Sequence, residues 1–301
     1  MGNLELIFET KGFRGVNNVA DPARVLPSGK GSFLTRGENI DIDNELMASR
    51  RDGFGAPFLA GTRIHSLWGN GETCLFVEDS DLKRLNADYS AAILRPGVGP
   101  APVDYVEVNG IVYYTNDTVI GFVKEGEDHS FPPTSQTYKV PMVPGRLIEY
   151  FHARLYVARK NQIWFSDPVA FGRTDPRRNF KQLPSTVTLL GPVDDGIYVA
   201  DLEATYFMAG EDPGKAILLK KADYGAIPGT KITAMAENIG GYRGSGKVCL
   251  WASAQGICLG GNEGIFVNLT KDSYHLGGRT EGAAIFRNRG RYQQYLLTVW
   301  V

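Results

Sequence analysis

The chain has 301 residues, 43% of them hydrophobic and 22% charged, enough apolar material for one large or two ordinary domains with a real core. Thirty-two basic and 33 acidic side chains leave a formal charge of -1, so the chain as a whole carries no electrostatic signature for nucleic acid or an anionic membrane. Any such contact has to be local. Cys74, Cys249 and Cys258 are odd in number and widely spaced, without a CxxC pair, and read as small buried hydrophobes rather than redox or metal residues.

The first residues, MGNLELIFETKG, lack a basic leader and are interrupted by Glu5, and no stretch approaches the roughly 20 apolar residues of a membrane span. Neither a signal peptide nor membrane contact is expected, and Leu6 stands where a myristoylation motif needs Ser or Thr. Asn3 to Glu9 alternates apolar and polar residues and reads as a strand. From Gly12 to Gly55 the pattern changes. Phe13, Val16, Val19, Val25, Leu26, Phe33 and Leu34 lie between turn formers at Asp21-Pro22, Pro27-Ser28-Gly29 and Arg36-Gly37, which predicts an extended strap laid over a larger body. Asp41 to Glu45 has the acidic spacing of a calcium loop. Leu46 and Asp52 occupy the positions that need Gly and a bidentate Glu, so a strand followed by a turn is predicted.

Past Pro57 one short phrase recurs as ETCLFVEDSDLKRL from Glu72, NGIVYYTNDTVIGFV from Asn109, HARLYVARKNQIWFS from His152, DGIYVADLEATYFMA from Asp195, GKVCLWASAQGICLG from Gly246 and GRYQQYLLTVWV from Gly290. Each reads as a hairpin, since β-branched and aromatic residues alternate with polar ones between Gly, Asn or Asp turns. Anchors at Phe76, Tyr113, Tyr156, Tyr198, Leu250 and Leu296 are 37, 43, 42, 52 and 46 residues apart. A period of roughly 40 to 50 residues without helix is that of a four-stranded propeller blade. Further strands precede the hairpins at Arg63, Asp104 and Arg146. The predicted fold is all-β, a β-propeller of about six four-stranded blades, with residues 1–57 as closing strand and strap and 58–301 as the propeller. Asn3 to Glu9 would complete the last blade. A β-sandwich with regular hairpins is the alternative, and it needs no constant period.

Catalytic constellations are missing from the pattern. His65, His129, His152 and His275 are far apart, there is no GxSxG, HExxH, P-loop or sialidase-type Asp-box, and the pairs Asp194-Asp195, Asp79 with Asp81, and Glu211-Asp212 fall at predicted turns. The chain reads as a non-enzyme without cofactor or metal. Two basic clusters are candidate subunit or DNA contacts: Arg173, Arg177, Arg178 and Lys181 in one Pro-containing loop, and Arg287, Arg289 and Arg291 at the turn of the last hairpin. A solvated loop or a salt-bridged subunit contact is the simpler reading of both. Arg50-Arg51 reads as structural, pairing with turn carboxylates of the first blade.

Three phrases carry a resemblance: Gly12-Phe13-Arg14-Gly15-Val16-Asn17-Asn18 with Asp21-Pro22, then Gly37-Glu38-Asn39-Ile40-Asp41-Ile42-Asp43, then Arg50-Arg51-Asp52-Gly53-Phe54. In this order they resemble the N-terminal region of bacteriophage tail and neck β-propeller virion proteins, the nozzle or hub proteins of short-tailed phages and the packaged-DNA stabilisation proteins. The strand end Gln162 to Pro168 resembles those propellers too. The resemblance implies a virion structural protein of the tail or head-tail connector, made in the host cytoplasm and built as a ring of identical subunits. Portal, adaptor or tail proteins would be its neighbours, with non-specific contact to passing DNA. The strap residues it singles out are Gly15, Asn17, Asp21, Pro22, Asn39, Asp41, Asp43, Arg51 and Gly53. Because Val301 directly follows a blade-like hairpin, a compact connector or hub is expected rather than a nozzle with an appended platform. The alternative is a carbohydrate-binding or glycan-active propeller on a phage tail or bacterial surface, for which Gly240-Gly241-Tyr242 with Trp251 resembles a kelch phrase. A WD-type scaffold is disfavoured because no Trp-Asp dipeptide occurs.

Overall fold

Alternating apolar runs broken every few residues by Gly, Asn or Asp leave the chain little choice but short antiparallel strands. The computed structural model describes residues 12–21, 32–53, 55, 63–240, 242–290 and 292–301; the expected closing strand Asn3 to Glu9, Pro22 and Arg291 lie outside them. Contacts group the chain into two compact units, Gly55–Ala226 and a second made of Met1–Phe54 with Ile227–Val301. The strap therefore belongs with the last quarter of the chain. Among the described residues no helix is long and apolar enough to cross a membrane.

The strap contributes four short strands. β1 (Phe13–Val16) pairs in parallel with β2 (Ser32–Leu34), and β3 (Ile40–Ile42) forms a hairpin with β4 (Ala48–Arg50).

Unit Gly55–Ala226 consists of four consecutive four-stranded antiparallel blades. The first runs β5 (Ile64–Gly69), β6 (Cys74–Glu78), β7 (Asp81–Leu85), β8 (Ala91–Arg95). The second runs β9 (Asp104–Val108), β10 (Ile111–Thr115), β11 (Ile120–Lys124), β12 (Glu127–His129). An excursion pairs β13 (Val140–Pro141) with β17 (Arg173–Thr174) beside the third blade, β14 (Leu147–Phe151), β15 (Arg154–Arg159), β16 (Gln162–Phe165), β18 (Phe180–Gln182). The fourth is β19 (Leu189–Pro192), β20 (Gly196–Ala200), β21 (Thr205–Ala209), β22 (Leu218–Ala222). The Asn109-Gly110 turn joining β9 to β10 has φ of 53° and 76°, the left-handed pair that a two-residue hairpin needs and that Asn-Gly supplies.

Consecutive blades of this unit stack face to face. Val112 and Tyr114 of β10 join Leu75, Val77 and Leu82 of the first blade in one apolar cluster, while Tyr113, between them, joins Ile148, Leu155 and Val157 of the third. In turn Tyr156 and Ala158 of β15 face Leu190, Ile197 and Val199 of the fourth. Period-two alternation thus sends neighbouring residues into different interfaces, which is why β10 and β15 are apolar on both sides. Polar side chains lock the stacking. Val103 N donates to Ser66 Oγ (2.8 Å), Ile148 N to Asp104 Oδ2 (2.8 Å) and Gly145 N to Thr115 Oγ1 (3.1 Å), each bond passing from one blade to the backbone that starts the next.

In the other unit, β23 (Ile232–Met235), β24 (Lys247–Ser253), β25 (Gly256–Gly260) and β26 (Phe266–Asn268) form a fifth blade, followed by the long hairpin β27 (Glu281–Arg289) and β28 (Tyr292–Trp300). Tyr295 of β28 packs on Val248, Leu250 and Leu259, and its hydroxyl donates to Thr230 O (2.5 Å). Gly229 (φ +80°) lets the strand β27 come close, since a Cβ there would lie 2.1 Å from Gly282 O.

The molecule is all-β, built of propeller-type blades at the predicted spacing, and every anchor falls in the second strand of its sheet. Two details differ from the sequence reading. The described residues hold five four-stranded sheets and a two-stranded sheet where a sixth blade was expected. The last phrase, from Gly290, is a single nine-residue strand and not a hairpin, because nothing between Tyr292 and Trp300 can turn; its partner is the upstream Glu281–Arg289.

Leu155 is fully buried between the second and third blades. Leu155→Ala should cost about 2–5 kcal/mol in urea unfolding, whereas Ile217→Ala, at a 70% exposed position, should stay within about 0.5 kcal/mol.

Candidate interaction surface

The strap is held by polar groups, because its broken apolar pattern gives it no core of its own. Phe13 N donates to Leu46 O (2.7 Å) and Asn17 N to Leu34 O (2.8 Å). Gly15 has φ +116° with open space around it, so backbone conformation and not crowding calls for glycine. Asn17, 9% exposed, accepts Val19 N and Ala20 N on Oδ1 at 3.0 and 2.9 Å, an Asx-turn, and its Nδ2 reaches Asp272 O at 3.4 Å. Asn18 pairs reciprocally with His275: Nδ2 donates to His275 O and Oδ1 accepts His275 N, both at 2.8 Å. Asn18 N adds a bond to Ser273 O, also 2.8 Å. A side-chain amide here imitates a strand partner across some 250 residues of chain.

The second half of the strap centres on Asp41, whose side chain is 7% exposed and accepts Arg51 Nε and Arg287 Nη1, both at 3.1 Å. Arg287 also lies 4.3 Å over the Tyr292 ring and 3.3 Å from Gln294 Oε1. Gln294 Nε2 donates to Ile42 O (3.0 Å), and Gln293 N to Asn44 Oδ1 (3.4 Å). Asp43 Oδ1 accepts Glu45 N and Met47 N, shaping the β3–β4 turn that the sequence predicted. Asn39 (φ 55°) accepts Arg51 N on its carbonyl. Arg51 is thus corrected: it pairs inside the strap and not with carboxylates of the first blade, because Asp41 lies across the same hairpin. Arg50 is exposed. Asp21 also makes interactions, and Gly53 has open space about its Cα. Together these bonds clasp the N-terminal strap to β28 and to the loop after β26.

The basic loop of the third blade contains the carboxylates that answer it. Asp167, 14% exposed, accepts Lys139 Nζ (2.7 Å), Arg173 Nε (3.2 Å) and Asn179 Nδ2 (3.1 Å). Burial pushes its pKa up, but the Lys139 ammonium and the other donors outweigh this and hold it below the usual carboxylate range. Asp175, 1% exposed, takes Arg177 through both oxygens at 2.9 and 2.8 Å and Arg178 at 3.2 Å, and its pKa is held far down, chiefly by the Arg177 hydrogen bonds. Lys181 Nζ donates to Ala216 O of the fourth blade at 2.7 Å. Arg177 and Arg178 still present 57% and 73% of their side chains to solvent. At the other cluster Arg287 is engaged in the clasp and Arg289 is exposed. Asp167 and Asp175 were missed as partners, although the doubled Asp-Pro of FSDPVAFGRTDPRRN, set among the arginines, was a usable signal.

The four histidines are dispersed. His65 Nδ1 is 2.8 Å from Ser66 Oγ, His129 stacks on Phe122, His152 Nδ1 is 3.8 Å from Glu211 and His275 belongs to the clasp. Cys249 is fully buried, which pushes its thiol up to about 12, and Cys258 is buried beside Ser253. Both behave as the small hydrophobes expected. Among the described residues no group of three or more His, Cys, Asp or Glu is placed to hold a metal ion.

Asp41→Ala and Arg287→Ala, alone and combined, should show a coupling of about 0.5–3 kcal/mol in a denaturation cycle, as expected for a mostly buried pair. Acid should act on the third blade. Asp167 and Asp175 titrate lower in the folded chain than their unfolded pKa of about 3.9. Their contribution is therefore complete above pH of about 4 and is lost as pH falls through the lower folded values. Asp167→Asn with Asp175→Asn should flatten that acid limb of stability, measured by thermal melts from neutral to strongly acidic pH.

No family model matches the chain, and no curated protein matches it. Solved structures give weak likenesses. PorZ, a surface component of the type-IX secretion system of Porphyromonas gingivalis, is 13% identical over 75% of this chain with a TM-score of 0.46, and this chain spans only 29% of it. A gluconolactonase from Xanthomonas campestris is 10% identical over 79% of this chain and 86% of its own, TM-score 0.45. A virginiamycin B lyase from Staphylococcus aureus is 11% identical over 86% and 84%, TM-score 0.46. None of the three is a phage tail or neck protein, and likenesses this weak lend no activity, substrate or partner to this chain.

Proposed function

We propose that this chain is a non-enzymatic structural protein that works by presenting propeller blades and a clasped strap to neighbouring subunits, in the tail or head-tail connector of a bacteriophage. The observation that carries this reading is the strap. Of the residues that bear the resemblance to tail and neck propellers, Asn17 bonds Asp272 O in the loop after β26 and Asp41 bonds Arg287 of β27, while Asn39, Asp43 and Arg51 brace the strap's own hairpin. Exposed apolar side chains on outer strands, Ile93 of β8 and Leu219 of β22, are surface that a ring neighbour would cover. The exposed Arg177 and Arg178 would then face a subunit or passing DNA, with one of their two charges answered by Asp175.

The deciding measurement is composition: purified phage particles from the source genome, separated by sedimentation and analysed by mass spectrometry, should contain the chain in a fixed ring-like copy number. Its absence from intact particles overturns the reading. Binding of the purified protein to defined oligosaccharides on a glycan array would favour the carbohydrate-binding alternative instead.

A further inference from the structure

Two connections in the unit Gly55–Ala226 are longer than a blade needs. Residues 130–146 lead from the second blade to the third, where 96–103 lead from the first to the second, and residues 166–179 join β16 to β18, where 125–126 join β11 to β12. The two long connections are built into one knob. β13 pairs with β17, Met142 N donates to Gly172 O (2.8 Å), and Lys139 of one connection bonds Asp167 of the other. Ordering so much chain costs conformational entropy without extending a sheet, and long ordered connections of this kind are the usual carriers of function.

The knob presents aromatic, apolar and basic groups together. Tyr138 is 67% exposed with the Arg177 guanidinium 4.2 Å over its ring, Arg178 shares the Asp175 carboxylate with Arg177, and Val169 is 78% exposed. Val169 has φ 58°, a conformation that a β-branched residue rarely adopts, and its N–H donates to Ala153 O (2.7 Å). Tyrosine and arginine commonly anchor protein interfaces, and an arginine already oriented by a carboxylate loses less freedom on binding. Lys139, Arg173, Arg177 and Arg178 outnumber Asp167 and Asp175, so the knob stays positive.

The fourth blade of the same unit holds a surface of opposite character. Its β21–β22 connection frames an open groove of about 340 Å³ with apolar walls of Ala209, Ala216, Ile217 and Leu219, of which Ile217 and Leu219 are 70% and 47% exposed. Asp212 and Lys215 stand at its rim, and the exposed Glu211 beside them makes the rim acidic.

We propose that the knob of one copy of this chain seats in the groove of the next, with Tyr138 and Val169 against Ile217 and Leu219, and Arg178 towards Glu211. The occupant follows from complementarity: an exposed apolar and basic projection matches an exposed apolar and acidic hollow. Passing DNA would leave Val169 and the apolar groove without a partner, and Asp167 and Asp175 already answer two of the knob's four positive charges. Knob and groove are different surfaces, so the contact is heterologous, the class that closes into rings. The inference rests on the ring of subunits proposed above and names its contact.

Sedimentation velocity on the purified full chain, at concentrations up to about 0.2 mM, tests this. The unsubstituted chain should associate into species larger than a dimer. Ile217→Asp should weaken that association by about tenfold or more. Its thermal melt should stay unchanged, since the position is exposed. Arg178→Glu and Glu211→Arg should each weaken association too, and an equal mixture of the two should restore it, because the reversed knob of one then meets the reversed rim of the other. A monomeric chain, association untouched by Ile217→Asp, a mixture no better than either variant, or assembly that stops at a symmetric dimer overturns the proposal. Particle composition is a separate measurement: absence from phage particles with association intact removes the virion reading and keeps the contact, and presence in particles with a monomeric chain does the reverse.

Discussion

The structure depends on the fact that a four-stranded sheet with apolar side chains on both faces cannot stand alone in water. Tyr114, Leu155, Tyr156 and Ile197 are all fully or almost fully buried, and each lies in an interface between two blades of one unit. Burying a side chain of this size contributes about 1.5–3 kcal/mol, so each interface holds its blades mainly through area. Hydrogen bonds set alignment. Ser66, Thr115 and Asp104 each accept a backbone N–H at the entry to the next blade, which would otherwise be buried without a partner.

The strap has no long apolar run, and it is bound within its own unit through Asp41, Asn17 and Asn18. Polar fixation suits a segment that crosses the surface, since each bond has a definite direction and so sets one path. It also ties residues near the start of the chain to residues near its end within one unit.

How much of this was legible varied with the physical source of the signal. The anchors from Phe76 to Leu250 could be placed because strand alternation and turn chemistry are local, and each anchor lies in the second strand of a four-stranded sheet. The final phrase was misread because a repeat pattern invites a hairpin wherever an anchor is found, although Tyr292 to Trp300 contains no turn former. Arg51 was assigned to the wrong carboxylate, and Asp167 and Asp175 were overlooked beside four basic residues, for one shared reason. Ion pairing depends on which loops approach one another, and loop approach leaves no periodicity in the sequence.

The sequence by itself determined the strand pattern, the blade spacing and the burial of Cys249 and Cys258, whereas Cys74 is only partly buried. Those follow from the period of two, from turn preferences and from hydrophobicity, all of which act over a few residues. Only tertiary structure decided that Asp41 joins Arg51 to Arg287, that Asn18 meets His275, and that the basic loop carries its own counter-charges. Those contacts are made by short polar side chains between segments up to some 250 residues apart, and their geometry exists only once the blades have stacked.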